Sequence, residues 1–334
     1  MKEIDGSSGG GQMLRTALTM SAVEQEPFRM RNIRGSRREP GLKPQHLEAV
    51  RSVKRLTGGE VEGAQRGSEE IVFSPEGVRP KSFTANIGTA GSTTLLLDAL
   101  APITTQFNSG CRFSVKGGTH VKFSPAFESF RSKMKLLSAF GLESSSKLER
   151  VGYYPEGGGE AVFTSENSSM EPVELIERGV LEKLNIYSRA SRELEDASVA
   201  DRQARELERL LKDRQPSAEV GKRVEYVDAD SAGSSLVLEA VYESSRVAFD
   251  NLGEKGKRSE EVAGEVFEEF VGFGSSRAAV DKHLGDQLMI YMAIAGGEVT
   301  VPELTDHVQT NMEVLRKFGS EIVVEEGERI RLRA

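Results

Sequence analysis

Apolar and polar positions alternate along this chain in two recurring rhythms. Short stretches such as "FRMRNI" at 28–33 set apolar residues two apart, the period of a half-buried strand. Between them, apolar residues recur three and four apart, as at Met13, Leu14, Ala17 and Leu18, which predicts helices. The first unit reads as strand "EID", a helix over 12–23, strand "FRMRNI", helix "PQHLEAVRSVKRLTGG", and strands near "EVEGAQ" and "EEIVFS". Pro44 suits the first turn of its helix and Gly58-Gly59 its end.

The same order returns twice. "SFTANI", "GSTTLLLDALAP", "CRFSVKGG" and "PAFESFRSKMKLLSAFG" lead to two strands ending at "GEAVFTS". Phe127, Phe130, Met134 and Leu137 form the apolar stripe of its second helix, a core face. A third unit joins "VELIERG" to residues 279–334, which supply "AVDKHLGDQLMIYMAIAGG", "EVTVPE", "DHVQTNMEVLRKFG", "EIVVEE" and "RIRLRA". The excursion of roughly 95 residues inside that unit is too long for a loop and has strands and helices of its own. The prediction is an α/β protein, with a body at 1–182 and 278–334 and an inserted α/β domain at 183–277.

Composition narrows the class. With 334 residues, 37% hydrophobic and 29% charged, the chain can bury a substantial core. No apolar run approaches the ~20 residues of a membrane span. The N-terminus lacks the basic-then-apolar order of a secretion leader. Cys111 is the single cysteine, which excludes an internal disulfide and a cysteine-built zinc site, and it reads as core packing. These features predict a cytoplasmic protein with no membrane partner. The net charge of −8 argues against indiscriminate nucleic-acid binding. Yet residues 29–55 carry nine basic residues against two acidic ones, a stripe that suits either a defined polyanion or a solvated face.

Candidate chemistry gathers at helix starts. In "DGSSGGGQMLRTALTMS" at 5–21, Gly9, Gly10, Gly11 and Gln12 precede or open a helix, where backbone N–H groups can converge on an anion. Neither a Walker lysine nor a GxGxxG spacing accompanies them. Arg15 can reach over whatever that loop holds, and Arg34 and Arg37 leave a strand into a proline-stiffened loop; such arginines suit phosphate clamps or surface ion pairs. His46 and His307 each stand in the first turn of a unit's second helix. The positive helix end favours neutral imidazole there, competent as a nucleophile toward phosphorus, although a capping or surface role fits the same position. His283 stands in "KHLGDQ" and His120 in "GGTHVKF", without a compact metal-ligand spacing.

Eight segments taken together resemble RNA 3′-terminal phosphate cyclases: "DGSSGGGQMLRTAL", "RGSRREPGLKPQHLEAV", "GTAGSTTLLLDALAP", "GGTHVKFSPAFE", "GYYPEGGGEAVF", "GEKGKRSEEVA", "AVDKHLGDQL" and "DHVQTNMEVLRKF". The resemblance runs from residue 5 to residue 318 in the family's order. It implies three βαβαββ repeats related to enolpyruvyl transferase units, with a smaller domain inserted in the third. It also implies ATP, a divalent cation (Mg²⁺ or Mn²⁺) and an RNA with a 3′-phosphate end as ligands, and leaves a homodimer open. In the family a histidine takes AMP from ATP, passes it to the RNA 3′-phosphate, and the adjacent 2′-OH displaces AMP to give a 2′,3′-cyclic phosphate. By position that histidine is His307. Arg15 and Arg34 hold phosphates beside the glycine run. The resemblance also implies that Asp98 serves the nucleotide, that Asp286 and Gln287 contact the nucleotide or support the histidine, and that His283 and Pro125 flank the adenine. Arg37, Arg38, Lys43, Gln45 and His46 fall to the RNA.

The chain departs from the family in places. The first motif, DGxxGEGGGQ in the family, reads "DGSSGGGQ" here, and the missing residues include the glutamate that binds the cation. Asp5, Asp98 and Glu128 are the substitutes the sequence offers. Asp98 itself stands where the family commonly has glutamine, and His120 and Ala126 alter a GGTDxxxxPPxD motif. The expected activity is cyclisation, because His307, Arg15, Arg34 and Asp286 are kept. The alternative is a cyclase-like RNA-binding protein with little or no catalysis, in RNA processing or ribosome assembly. An enolpyruvyl transferase rests on fold analogy alone.

Overall fold

Three of the four sheets in the computed structural model, which describes residues 1–215 and 218–334, share one topology. The first repeat comprises β1 (Lys2–Asp5), α1 (Gly11–Glu24), β2 (Phe28–Arg31), α2 (Pro44–Thr57), β3 (Glu60–Glu62) and β4 (Ile71–Ser74). Its sheet runs β1-β2-β4-β3, with β1 and β2 parallel and the other pairs antiparallel. The second comprises β5 (Phe83–Asn86), α3 (Thr93–Leu100), β6 (Cys111–Gly117), α4 (Phe127–Ser138), β7 (Ser144–Arg150) and β8 (Gly159–Ser165). Its order, β5-β6-β8-β7, is the same.

The third repeat opens with β9 (Val173–Leu175) and is then interrupted. The intervening elements are β10 (Leu181–Ser191), α5 (Val199–Arg214), β11 (Glu219–Val227), β12 (Ser234–Tyr242), β13 (Arg246–Leu252) and α6 (Ser259–Ser275). The repeat resumes with α7 (Lys282–Ala295), β14 (Gly297–Val301), α8 (Asp306–Lys317), β15 (Val323–Glu325) and β16 (Ile330–Arg333), and its sheet runs β9-β14-β16-β15. The interrupting elements form a sheet of different order, β11-β10-β12-β13. Helices α5 and α6 cover this sheet, and α4 packs on β12 and β13 as well. Strand β12 is accordingly buried at eight of its nine positions, the pattern of a strand covered on both faces.

Register places the large side chains together. Phe28 pairs with Phe73 and Phe113 with Phe163, and the rings lie 5.9 and 6.1 Å apart. Helix α1 lies at the centre and packs on α2, α3, α7 and α8. It is therefore buried nearly all round from Met13 to Ala22, not along the single apolar face that its periodicity predicts. Its buried hydroxyls find partners: Thr16 donates to Asn311 Oδ1 at 2.8 Å, and Thr19 to the Ala99 carbonyl at 2.8 Å.

Two further differences have local causes. The helix predicted at 91–102 starts where Ser92 accepts the Leu95 N–H at 3.1 Å and tightens after Leu100 into a 3₁₀ turn over Ala101–Gln106. The helix predicted from 279 starts at Lys282, because Asp281 Oδ1 accepts the N–H groups of His283 and Leu284 at 2.9 and 3.1 Å. Cys111 is buried against Ser165, and burial raises its thiol pKa, as a packing role requires. Among the described residues no helix is long and apolar enough to cross a membrane.

Candidate active site

The first turns of α1, α2, α3, α7 and α8 line one cleft of about 1730 Å³. The positive ends of five helices so placed favour a polyanion. Helix α1 begins with Gly10 in extended backbone as its N-cap; no side chain caps it, and no acidic residue stands in its first turn. Gly9, Gly10 and Gly11 are absent from the left-handed backbone positions, so conformational freedom does not explain them. Space does. A Cβ on Gly11 would overlap His46 Nε2, and one on Gly10 would lie 3.0 Å from Arg37 Nη2. The run lets an imidazole and a guanidinium close on the helix start.

His46 is buried, and its Nδ1 accepts the Lys43 N–H at 3.1 Å. A neutral ring therefore carries its proton on Nε2, facing the glycines. Burial, with Arg15, Arg34 and Lys43 nearby, pushes its pKa down to about 3. His307, half-buried in the first turn of α8, is also held below the usual imidazole value, first by burial and then by Arg15 and Arg37. Gln12 Nε2 donates to the His307 carbonyl at 3.3 Å and ties α1 to α8. Burial lowers Arg15 to about 10, against the opposing pull of Asp98 and Asp286, so it keeps its charge at neutral pH. Among the described residues neither Arg15 nor Arg37 forms an ion pair, and both line the cleft.

Arg34 is more constrained. It has φ of 60° and its Nη1 donates to the carbonyls of Glu39 and Gly41 at 2.8 and 2.9 Å, which fixes the loop while the side chain still lines the cleft. Lys43 pairs with Glu39, and Gln45 Oε1 accepts the Ser92 N–H at 3.1 Å. Pro125 lines the cleft with its carbonyl taken by Thr94, and His283 is exposed in the first turn of α7. Gly9 is buried under Met13 and Arg38 is exposed; neither lines the cleft.

Carboxylates line the same cleft. Asp286 is buried, accepts Thr305 Oγ1 at 2.9 Å, and is raised to about 7, chiefly by burial. Asp98 is 2.6 Å from the buried Lys133 ammonium, which also donates to Gln287 at 2.6 Å. The three residues proposed from sequence for a cation fit that task poorly. Asp5 lies outside the cleft and accepts Ser7 N–H and Asn32 at 3.0 Å. Asp98 is neutralised by Lys133, and Glu128 is closed in by His120 at 2.8 Å and by Arg189. Among the described residues no group of three or more histidine, cysteine or acidic side chains is arranged to hold a metal.

Sequence reasoning missed Lys133, although a signal was present: it stands on the apolar stripe of α4, three residues after Phe130. It also missed Asn311, whose amide accepts Thr16 and donates to the Asp286 carbonyl at 3.1 Å, joining α1, α7 and α8. No local pattern distinguishes that asparagine.

Comparison with known proteins agrees with this geometry. The family described as RNA 3′-terminal phosphate cyclase matches residues 7–323. An RNA 3′-terminal phosphate cyclase of Halobacterium salinarum is 39% identical over 337 residues, covering 97% of each chain. Those of Sulfurisphaera tokodaii and Saccharolobus solfataricus are 40% and 39% identical, covering 95% of this chain and 94% of their own. A full-length match at this identity, on three repeats whose helix starts share one cleft, places the chain in the RNA 3′-terminal phosphate cyclase family, a family of enzymes.

Proposed function

We propose that this chain uses ATP to convert an RNA 3′-terminal phosphate into a 2′,3′-cyclic phosphate, with His307 as the nucleophile. What carries this reading is the place of His307 in the first turn of α8, lining the cleft beside the guanidiniums of Arg15 and Arg37, with burial and those two charges holding its imidazole below the usual pKa. An imidazole nitrogen of His307 attacks the α-phosphorus of ATP; the bond to the bridging oxygen breaks and pyrophosphate leaves. An oxygen of the RNA 3′-phosphate then attacks the same phosphorus, the P–N bond breaks, and His307 is restored. The 2′-OH attacks the terminal RNA phosphorus, gives up its proton, and expels AMP. That last step needs little help, because the hydroxyl is tethered beside its target.

Arg15, the open start of α1 and the Nε2–H of His46 serve the phosphates. Arg34 acts mainly by fixing the loop that carries Arg37. His283 and Pro125 flank the adenine, and Asp286, Asp98 and Gln287 line the nucleotide side. Arg37, Lys43 and Gln45 face the RNA end, with Arg38 outside the cleft on its approach. Residues 183–277 act as a separate inserted domain, and the protein works in the cytoplasm. A divalent cation, Mg²⁺ or Mn²⁺, would offset the charge of the triphosphate; among the described residues no group of three or more histidine, cysteine or acidic side chains is arranged to hold it.

The test is conversion of a 3′-phosphorylated RNA oligonucleotide in the presence of ATP. The expected product resists phosphatase and opens with acid. RNA binding without any such product, from folded protein, would favour a cyclase-like binding protein instead.

A further inference from the structure

Two aromatic rings stand in solvent on the rim of the same cleft. Phe123 is 99% exposed and Tyr154 75% exposed, and both line the cleft. Each forgoes the burial that normally recruits a large aromatic side chain. Phe123 also has φ of 63°, a backbone conformation that bulky residues rarely adopt. The loop holds that conformation from both sides. Ser124 Oγ donates to the Val121 carbonyl at 2.9 Å, and Thr94 Oγ1 donates to the Pro125 carbonyl at 2.8 Å.

The Tyr154 loop is equally fixed. Gly157 N–H donates to the Tyr153 carbonyl at 2.8 Å, and Glu156 N–H to Ser231 Oγ at 3.1 Å. The two loops are joined where the Thr119 and His120 N–H groups donate to the Gly152 carbonyl at 2.9 and 3.2 Å. The Tyr154 loop also adjoins Gln45, on the side of the cleft read as the RNA's, while the Phe123 loop runs on to Pro125. Gly157 packs so closely on Ala90 that a Cβ would lie 2.8 Å from its Cα, and Ser92, two residues on, is held by Gln45. Lys122, next to Phe123, pairs with Glu254 at 2.9 Å.

We propose that Phe123 and Tyr154 stack the unpaired bases adjoining the RNA 3′ end, seating the strand while the cleft holds its terminal phosphate. Pre-positioned rings beside a phosphate site suit single-stranded nucleic acid, and stacking tolerates any base. This rests on reading the cleft as the cyclisation site.

The experiment measures, on the full chain, the Kd of a short fluorescent single-stranded RNA with a 3′-phosphate. Phe123→Ala and Tyr154→Ala should each raise it about tenfold, while Phe123→Trp keeps the wild-type value. An RNA abasic at its last two nucleosides should bind wild type more weakly and be indifferent to both alanine changes. AMP labelling by ATP without RNA should be unchanged in all variants. Unchanged Kd in the alanine variants, equal losses on abasic RNA, or reduced labelling without RNA would each overturn the proposal, the last by giving the rings to the adenine of ATP. A wild type that takes no AMP yet shows the expected Kd pattern would support the stacking rim and sink the catalytic reading alone.

Discussion

Gly11 and His46 show how one missing Cβ shapes the cleft. The imidazole occupies the space that any larger residue at 11 would need, and its own geometry is set by the Lys43 N–H. Gly11→Ala should therefore cost about 1–3 kcal/mol in urea unfolding through overpacking. Adding His46→Ala should recover part of that loss, because the two changes share one contact. Additive losses would mean that the glycine serves something else. Asp286 offers a pH test. Its folded-state pKa, near 7, exceeds the ordinary 3.8, so the folded chain binds the extra proton between those values. The stability it contributes is complete below about pH 4 and is lost as pH rises through about 7. Asp286→Asn, which can still accept Thr305, should raise the Tm at pH 8 and leave it near the wild-type value at pH 4. A constant difference across that range would contradict a buried, protonated carboxyl. Sequence alone suggested a neutral His46 from its helix turn. It could not show which nitrogen holds the proton.

At the scale of elements, Lys133 carries more than its helix's periodicity reveals. Its ammonium joins α3 through Asp98 and α7 through Gln287, and it is 2% exposed. Lys133→Ala would leave Asp98 without its counter-charge and should cost about 3–5 kcal/mol, measured by denaturant unfolding. A cost under about 1 kcal/mol would mean that water or another cation reaches Asp98 readily. Local pattern located most elements because strands and helices of this length write their period plainly. It failed where tertiary context decides. Helix α1 has threonines and a serine opposite its apolar face, yet packing on four helices buries them as well. Strand β13 follows a polar turn and alternates only weakly in "RVAFDNL", and its pairing with β12 supplies the order that the local pattern lacks.

Across the whole molecule, three repeats with one sheet order turn helices inward, and the starts of those helices meet in one cleft. The repeat plan was legible in the sequence because each unit repeats its own local rhythm. The cleft was not, since Arg15, His46, Asp98, His283 and His307 lie far apart in the chain and only packing of α1 against α2, α3, α7 and α8 joins them. Family resemblance named most of these residues; geometry added how Gly11, Arg34 and Lys133 support them and set Asp5, Gly9 and Arg38 outside the cleft lining.

Covalent labelling tests directly whether His307 is the nucleophile. Folded protein is incubated with ATP labelled at the α-phosphate and with Mg²⁺ or Mn²⁺, beside His307→Ala, and acid-labile AMP on the chain is counted. Label is expected on the wild type and none on His307→Ala, with pyrophosphate released in equal amount. No label on the wild type with either cation, or equal label on both proteins, would contradict that role.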